Sequence, residues 1–159
     1  MPEPDTNDRA QALIRGLGLK PHPEGGWYGE LFRSTRQVQP ADERPARAAL
    51  TSIDFLLEPG QFSAWHRVRS DEVWHLLEGE SLTLWLMSPE LGGAERIELR
   101  DRRRHVVPAD WWQAAEPGRG FAYVGATVGP GFDFADFAFG REHVDLVRAV
   151  SAQGLARLL

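Results

Sequence analysis

Short runs of alternating apolar and polar residues fill the middle of the chain, and this period of two predicts β-strands. The runs cover residues 27–34, 48–57, 61–67, 72–78, 81–87, 94–100, 104–107, 112–115, 121–128 and 132–139. Turn-forming residues separate them, for example at Pro59-Gly60, Gly79 and Gly129-Pro130-Gly131. Ten short strands with regular turn signals predict an all-β fold, either a closed barrel or two packed sheets.

A period near 3.6 marks the two ends of the chain instead. Near the N-terminus, four apolar residues share one helical face: Ala10, Leu13, Ile14 and Leu17. They predict a short helix over about residues 8–17. Near the C-terminus, four more share a face: Val144, Leu146, Val147 and Val150. They predict a helix over about residues 141–153 that packs on the outside of the barrel. We interpret residues 1–159 as one domain with a barrel core over about 26–140. The polar segment 35–47 is predicted to be a mobile loop.

Composition narrows the classes of function. Hydrophobic residues make up 42% and charged residues 26% of the chain, as in ordinary soluble proteins. The net charge of −5 argues against nonspecific binding to nucleic acid or to anionic membranes. Because there is no cysteine, disulfides, thiolate ligands and a cysteine nucleophile are excluded. No apolar run reaches the roughly 18 residues of a membrane span, and signal-peptide features are lacking, so we expect a cytoplasmic protein.

Candidate chemistry is concentrated between Gly60 and Gly79. His66 and Val68 lie two residues apart in a predicted strand, so their side chains point to the same side. After a short turn, Glu72 returns a carboxylate toward the same interior. A buried carboxylate is costly unless it is paired or ligating, and His66 is its nearest candidate partner.

This stretch resembles the first signature of the cupin superfamily, G-x5-H-x-H-x(3,4)-E-x6-G, with Val68 in place of the second histidine. The second signature, G-x5-P-x-G-x2-H-x3-N, is matched at its proline by Pro108. Asp110, Gln113 and Pro117 stand where the signature has glycine, histidine and asparagine. The spacing therefore indicates a cupin, and the substitutions indicate a changed metal site.

Three further blocks, residues 19–34, 51–60 and 127–138, resemble a subfamily of RmlC-like cupins of unknown function. The resemblance covers about residues 10–140. It implies a double-stranded β-helix, the cupin jelly-roll barrel, which is commonly dimeric, so we expect a homodimer. It implies no settled activity, because cupins host isomerases, dioxygenases and plain binding proteins. We expect a small-molecule ligand in the barrel, sugar-like or a nucleotide derivative.

Family resemblance also implies four metal-ligand positions, of which this chain keeps His66 and Glu72. Gln113 could coordinate weakly through its carbonyl oxygen. Strict alternation from Glu72 directs Trp74 inward and His75 outward, whereas a β-bulge would turn His75 inward. One expectation is therefore a divalent metal held by His66, Glu72, Gln113 and His75, and the other is a barrel without metal.

Further candidate site residues are polar or aromatic positions within the predicted strands. Asp54 lies in an apolar run, and Trp74 is a candidate for the wall of a ligand pocket. Trp111 shares a face with Gln113, and we expect both to contribute to ligand binding. Tyr123 lies in a late strand and is the candidate general acid, with a core tyrosine as the alternative.

Five remaining polar residues receive simpler interpretations. Asp133 and Asp136 fall on opposite faces of a predicted strand, so one is expected to be buried and the other to lie at an edge. His22, His105 and His143 are interpreted as structural or exposed, with no role in a site.

Three functions fit this sequence. The first is a metal-free epimerase or isomerase of sugars or carbonyl compounds, with His66, polarised by Glu72, as base and Tyr123 as acid. The second is a metal-dependent cupin enzyme, such as a dioxygenase. The third is a small-ligand-binding module without catalysis. The loss of two metal histidines favours the first.

Overall fold

A computed structural model describes residues 6–159 of the chain. Two α-helices are present in this range, α1 (Thr6–Leu17) and α2 (Val144–Ala152). The strands are β1 (Lys20–Pro21), β2 (Trp27–Arg33), β3 (Gln37–Val38), β4 (Arg47–Ala48), β5 (Thr51–Leu57), β6 (Ser63–Val68), β7 (Asp71–Gly79), β8 (Leu82–Met87), β9 (Glu95–Leu99), β10 (Arg104–Val107), β11 (Trp112–Pro117), β12 (Ala122–Gly129) and β13 (Phe137–Phe139). Short 3-10 turns cover Phe134–Asp136, Gly140–Glu142 and Ala156–Leu158.

Two antiparallel sheets form the body of the molecule. The six-stranded sheet has the order β1-β2-β5-β12-β7-β10, and the five-stranded sheet has the order β13-β6-β11-β8-β9. Strands β3 and β4 pair separately as a small ribbon. The predicted all-β jelly roll with an N-terminal and a C-terminal helix is confirmed.

Alternation along the strands fills the space between the two sheets. In β8, Leu82, Leu84 and Leu86 are buried between the sheets. Trp74 and Leu76 of β7 meet them from the opposite sheet. Because every second residue faces inward, the same pattern that builds this core also directs polar side chains of β6 and β7 into the barrel.

Helix α1 covers the outer face of the six-stranded sheet. Its buried residues Leu13 and Ile14 pack against Leu56 of β5. The helix ends before Gly18, whose φ of 64° favours glycine. The amide of Leu19 then closes the turn by donating to the carbonyl of Ile14 at 2.9 Å.

Helix α2 covers the outer face of the five-stranded sheet. Leu146 and Val150 pack against Trp65 of β6 and Trp112 of β11. In the part of the chain that the structure describes, no helix is long and apolar enough to cross a membrane.

The last predicted strand is much shorter than the sequence pattern indicated. Residues 132–139 were predicted to be extended, but only Phe137–Phe139 form a strand. Phe134–Asp136 form a 3-10 turn because the carboxylate of Asp133 accepts a hydrogen bond from the amide of Ala135 at 2.8 Å. This cap bends the backbone before the strand begins.

The segment 35–47, predicted to be a mobile loop, is a loop over residues 39–46, but short strands flank that loop. The segment contains the β3–β4 ribbon, and its Arg44 and Arg47 are buried. Arg44 Nη1 lies 3.1 Å from Asp136 Oδ2, and Arg47 Nη2 lies 2.9 Å from Asp136 Oδ1. We call this group of three residues the Asp136 latch, because it ties the ribbon to the segment that precedes β13.

Candidate functional site

A cavity of about 350 Å³ lies within the barrel. Six of its lining residues carry imidazole or carboxyl side chains: Glu30 and Asp133 are exposed, whereas His22, Glu24, His66 and Glu72 lie deeper. Its apolar lining consists of Tyr28, Ile53, Val68, Ala126, Val128, Phe132, Phe134 and Phe137. Such a volume with few polar groups in an apolar wall is typical of a small-molecule site.

His66 reaches the cavity because β6 alternates. Trp65 and Arg67 point to the outer face, whereas His66 and Val68 line the cavity, as the sequence predicts. The ring Nδ1 lies 2.7 Å from the carbonyl oxygen of Ala64. Because a carbonyl only accepts, Nδ1 must carry the hydrogen, and in a neutral ring Nε2 then holds a lone pair.

Glu24 faces that lone pair. Its Oε2 lies 3.1 Å from His66 Nε2, and both side chains are buried. If the ring is neutral, Glu24 must donate; if the ring is charged, Glu24 must accept. One proton therefore lies between the two groups in either case. Burial lowers the pKa of His66 and raises the pKa of Glu24 to about 8, which favours the neutral pair.

Glu72 of β7 is held by a chain of two hydrogen bonds. Trp74 Nε1 donates to Gln113 Oε1 at 2.7 Å, and Gln113 Nε2 donates to Glu72 Oε2 at 2.8 Å. Since an indole can only donate, the Gln113 amide has one permitted orientation. Burial raises the pKa of Glu72 to about 7, although His66 and Gln113 oppose the shift. We call Glu24, His66 and Glu72 the buried cluster.

A turn before β2 supplies Glu24. The amide of His22 donates to the carbonyl of Gly26 at 2.9 Å, and the amide of Gly25 donates back to the carbonyl of His22 at 3.0 Å. Gly25 has a φ of 109°, and any side chain there would collide with a neighbouring backbone carbonyl. Sequence reasoning missed Glu24. The available signal was an acidic residue directly before two glycines, at a point where the chain turns sharply.

His22 comes from the same turn, although the sequence analysis gave it no role. Its Nδ1 accepts a hydrogen bond from the amide of Glu24 at 3.0 Å. Its ring lies edge-on to Tyr28 and Phe55, with centroid distances of 4.5 and 5.6 Å. Burial, assisted by the nearby His66, lowers the pKa of His22 to about 4, so this imidazole is neutral at pH 7.

Aromatic rings cover His66. Phe137 stacks on its imidazole with a centroid distance of 5.3 Å and an interplanar angle of 18°. Phe132 and Phe134 contact Phe137 edge-on. Phe137 directly follows Asp136, so the Asp136 latch fixes the backbone next to this ring.

Among the described residues that line the cavity, Arg33 is the only arginine or lysine. It is already engaged, because its Nε lies 2.9 Å from Glu30 Oε1 and its Nη1 donates to the carbonyl of Phe132 at 3.1 Å. Within residues 6–159, the lining therefore offers no arginine or lysine that is free to pair with a phosphate or carboxylate group.

Tyr123 and Asp54, predicted as an acid and a ligand-binding residue, are not brought to the cavity. The Tyr123 hydroxyl donates to Asp54 Oδ1 at 2.7 Å on the outer face of the six-stranded sheet. Their neighbours Ile53 and Val124 face inward instead. Burial and the hydrogen bond to Asp54 raise the pKa of Tyr123 to about 12.

Three other predicted residues do not line the cavity. Trp74 is buried beneath the cavity, in contact with Phe55, and reaches the buried cluster only through Gln113. Trp111 packs against the barrel core. His75 lies on the outer face of β7, opposite Arg104 in the neighbouring strand, as alternation from Glu72 requires.

The donors in the cavity do not fit a resident metal. His66 Nε2 faces Glu24, the carbonyl oxygen of Gln113 is taken by Trp74, and Val68 has no donor atom. In residues 6–159 no group of three or more histidine, aspartate or glutamate side chains is placed to hold a metal ion. The predicted set of His66, Glu72, Gln113 and His75 is not assembled around one point.

The chain is similar to a known protein family and to solved structures. Residues 11–140 match the family described as Cupin superfamily (DUF985). A crystal structure from Shewanella oneidensis is 32% identical, with a TM-score of 0.82, over 94% of this chain and 96% of that chain. A hypothetical protein from Leishmania major is 29% identical, with a TM-score of 0.80 over the same shares.

Oxalate decarboxylase from Bacillus subtilis is a more distant structural neighbour. It is 16% identical, with a TM-score of 0.57, over 85% of this chain and 34% of that chain. At this identity the likeness shows the fold alone. No curated protein matches the sequence.

Proposed function

The chain belongs to the cupin superfamily, in the family designated DUF985, and we propose that it is a metal-free isomerase or epimerase of an uncharged sugar or similar small carbonyl compound. The observation that carries this proposal is the buried cluster. Glu24, His66 and Glu72 line one cavity, and both carboxyls have pKa values near neutrality. Groups with such pKa values can both give and take protons at pH 7.

Glu72 is the base in this proposal. Because its pKa is about 7, a large fraction is ionised at neutral pH. Gln113 donates to its Oε2, which holds the carboxylate in place while it accepts a proton from the carbon next to the carbonyl. A base with a pKa close to the working pH is the most effective one for this step.

The proton shared by Glu24 and His66 serves as the acid. When Glu72 takes the carbon-bound proton, the C–H pair becomes the C=C bond of an enol, and the shared proton moves to the carbonyl oxygen. The total charge is unchanged, since Glu72 becomes neutral as Glu24 becomes a carboxylate. In isomerisation, Glu24 then takes the proton of the neighbouring hydroxyl, whose oxygen becomes the new carbonyl, and Glu72 returns its proton to the former carbonyl carbon. In epimerisation, Glu24 takes back the proton of the enol oxygen, water protonates the same carbon on its other face, and Glu72 releases its proton to water.

The lining of the cavity supports an uncharged substrate. Arg33, the one arginine among the described residues of the lining, is already bound to Glu30 and the carbonyl of Phe132, so a nucleotide or sugar phosphate would bring negative charge without a partner. The phenyl rings of Phe132 and Phe137 offer apolar surface to the nonpolar face of a sugar ring. An uncharged sugar or ketose therefore suits the cavity better than a nucleotide derivative.

Solvent isotope exchange tests the proposal. The protein is incubated in deuterium oxide with a panel of aldoses, ketoses and small hydroxyketones, and proton NMR follows the loss of the C–H signal beside the carbonyl. We expect exchange and isomer formation with at least one uncharged member. Glu72→Gln should lower the rate by about 100-fold or more, since it removes the base. Glu24→Gln should also lower the rate, because it removes the shared proton.

Glu78→Gln is the matched control. Glu78 is partly exposed and paired with Arg9 outside the cavity, at 2.7 Å, so this variant should exchange at the normal rate. An active protein whose rate is unaffected by Glu72→Gln would contradict the proposal. So would the absence of exchange across the whole panel.

A metal-dependent enzyme is the second candidate. The observation in its favour is the hydrogen bond between His66 Nδ1 and Ala64, because metal-bound histidines are often anchored in this way. Metal analysis of protein purified without added metal should show no stoichiometric iron, manganese, nickel or zinc. A stoichiometric metal that Glu72→Gln removes would replace the metal-free proposal.

The expected homodimer stays a prediction.

A further inference from the structure

His22 presents the cavity with a hydrogen-bond donor that no protein group uses. Its Nδ1 is occupied, because it accepts from the amide of Glu24 at 3.0 Å. A neutral imidazole with an accepting Nδ1 carries its hydrogen on Nε2. Within residues 6–159 the structure gives Nε2 no hydrogen-bond partner, although the residue lines the cavity.

We propose that His22 is the carbonyl-binding residue of this cavity, and that its Nε2–H donates a hydrogen bond to the substrate oxygen. This inference rests on the proposed function, because it names the group that orients and polarises the carbonyl. It gives the two imidazoles of the cavity different tasks. His66 has its hydrogen on Nδ1 and shares a proton with Glu24, whereas His22 has its hydrogen on Nε2 and faces the ligand.

The protein fixes both the tautomer and the position of His22. The backbone amide of Glu24 determines which nitrogen accepts. Tyr28 and Phe55 hold the ring from its sides at centroid distances of 4.5 and 5.6 Å. The turn itself is closed by hydrogen bonds between His22 and the glycines that follow. A donor held rigidly in a buried site needs no reorganisation when charge develops on the substrate oxygen.

A neutral imidazole is chemically suited to this task. Its N–H can stabilise a developing enolate without first acquiring a proton, and isomerases use neutral histidine in this manner. A charged imidazole here would repel a protonated His66, to which His22 is electrostatically coupled. The arrangement therefore separates hydrogen-bond donation by His22 from proton transfer by the buried cluster.

Two substitutions, each of which mimics one ring nitrogen, separate the roles of Nδ1 and Nε2. His22→Asn places an amide oxygen where Nδ1 stood, so it can still accept from the amide of Glu24, but nothing reaches the position of Nε2. His22→Gln places an amide nitrogen near the position of Nε2, so it can still donate into the cavity. We expect His22→Asn to lower the exchange rate by about 100-fold and His22→Gln to stay within about tenfold of the unmodified protein. Equal losses in the two variants would overturn the inference.

Nitrogen-15 NMR supplies a test that does not need turnover. In ligand-free protein at pH 7, His22 should show a protonated Nε2 and an unprotonated Nδ1. Titration with dihydroxyacetone should shift the Nε2 resonance of His22, and His22→Asn should weaken dihydroxyacetone binding more than His22→Gln does. A protonated Nδ1, or a His22 spectrum that dihydroxyacetone leaves unchanged, would overturn the inference.

The outcomes distinguish the two proposals. Exchange that needs Glu72 but not His22 would refute the role of His22 and leave the isomerase proposal intact. Binding of dihydroxyacetone through His22, without exchange in any member of the panel, would support the hydrogen bond and refute the isomerase proposal.

Discussion

The described part of the chain buries carboxyl groups in two places, the cavity and the Asp136 latch, and their surroundings have opposite effects on the pKa. Glu24 and Glu72 face the cavity without a cation, and burial raises their pKa values to about 8 and about 7. Asp136 is equally hidden from solvent, but Arg47 and Arg44 hold its pKa below the ordinary range. The difference is the counterion. A carboxylate paired with arginine stays ionised and ties segments together, whereas an unpaired one keeps a proton that it can exchange.

The two arrangements also have opposite effects on stability. Removing one partner of the paired carboxylate destabilises the fold by far more than the intact ion pair stabilises it, because an uncompensated charge would remain buried. The unpaired carboxyls lower the stability of the fold at high pH, since ionising them in an apolar cavity is unfavourable. Sites that keep unpaired carboxyl groups in an apolar interior, at a cost in stability, are often functional.

The largest expected effect comes from removing the charge of Asp136. Asp136→Asn keeps the shape but leaves Arg44 and Arg47 without their shared carboxylate. We expect the free energy of unfolding to fall by about 3–5 kcal/mol, measured by urea denaturation at pH 7. Asp133→Asn is the control, because Asp133 is exposed, its hydrogen bond caps its own turn, and it acts on Arg47 only through a weaker electrostatic interaction. If both variants lost the same small amount, the Asp136 latch would not be a structural element.

Glu72→Gln should change how stability depends on pH. The pKa of Glu72 is about 7 in the folded protein and about 4.5 ordinarily. Between these values the unfolded chain releases a proton that the folded protein keeps, so the free energy of unfolding falls as pH rises. The contribution of Glu72 alone to this fall is on the order of 3 kcal/mol, and the raised pKa of Glu24 adds a separate fall in the same direction. The variant should remove the contribution of Glu72, as measured by urea denaturation between about pH 4 and pH 8.

Two comparisons test that sign. Glu78→Gln serves as the control, because Arg9 lowers the pKa of Glu78 and its contribution to stability is lost as pH falls rather than as it rises. Asp136 behaves in the same sense, with its contribution lost on acidification. A variant at Glu72 with the same pH dependence as the unmodified protein would show that burial does not raise this pKa.

The sequence was sufficient to predict which side chains of the regular strands β6 and β7 point into the barrel. Alternation in β6 and β7 places His66, Val68 and Glu72 in the cavity and His75 outside it. The period of two divides a strand into two faces, but it does not say which face is buried. For this reason Tyr123 was a candidate on sequence grounds although it lies on the outer face.

Site residues that lie in irregular segments could not be predicted in the same way. Glu24 and His22 come from a turn without any period, and only its closure by two glycines directs them into the barrel. The partners of Asp136 lie in a polar segment that resembles a loop, and their burial depends on a carboxylate far along the chain. Long-range pairing of this kind leaves no local pattern in a single sequence.

The smallest expected effect comes from breaking the hydrogen bonds that hold Glu72 in the absence of a counterion. Trp74→Phe removes the donor to Gln113 Oε1, whereas Trp85→Phe removes an indole N–H that has no partner among the described residues. Both are the same Trp-to-Phe change, but Trp74 is fully buried and Trp85 only partly buried, so their difference is an upper bound on the contribution of the hydrogen bond. We expect Trp74→Phe to cost about 1–3 kcal/mol more than Trp85→Phe in urea denaturation. It should also raise the pKa of Glu72, because a released Gln113 amide no longer stabilises the carboxylate. Equal costs with an unchanged Glu72 pKa would mean that solvation and shape alone hold this carboxyl. In that case Glu72 would differ from Asp136 in being buried without a hydrogen-bond network that holds its carboxyl group.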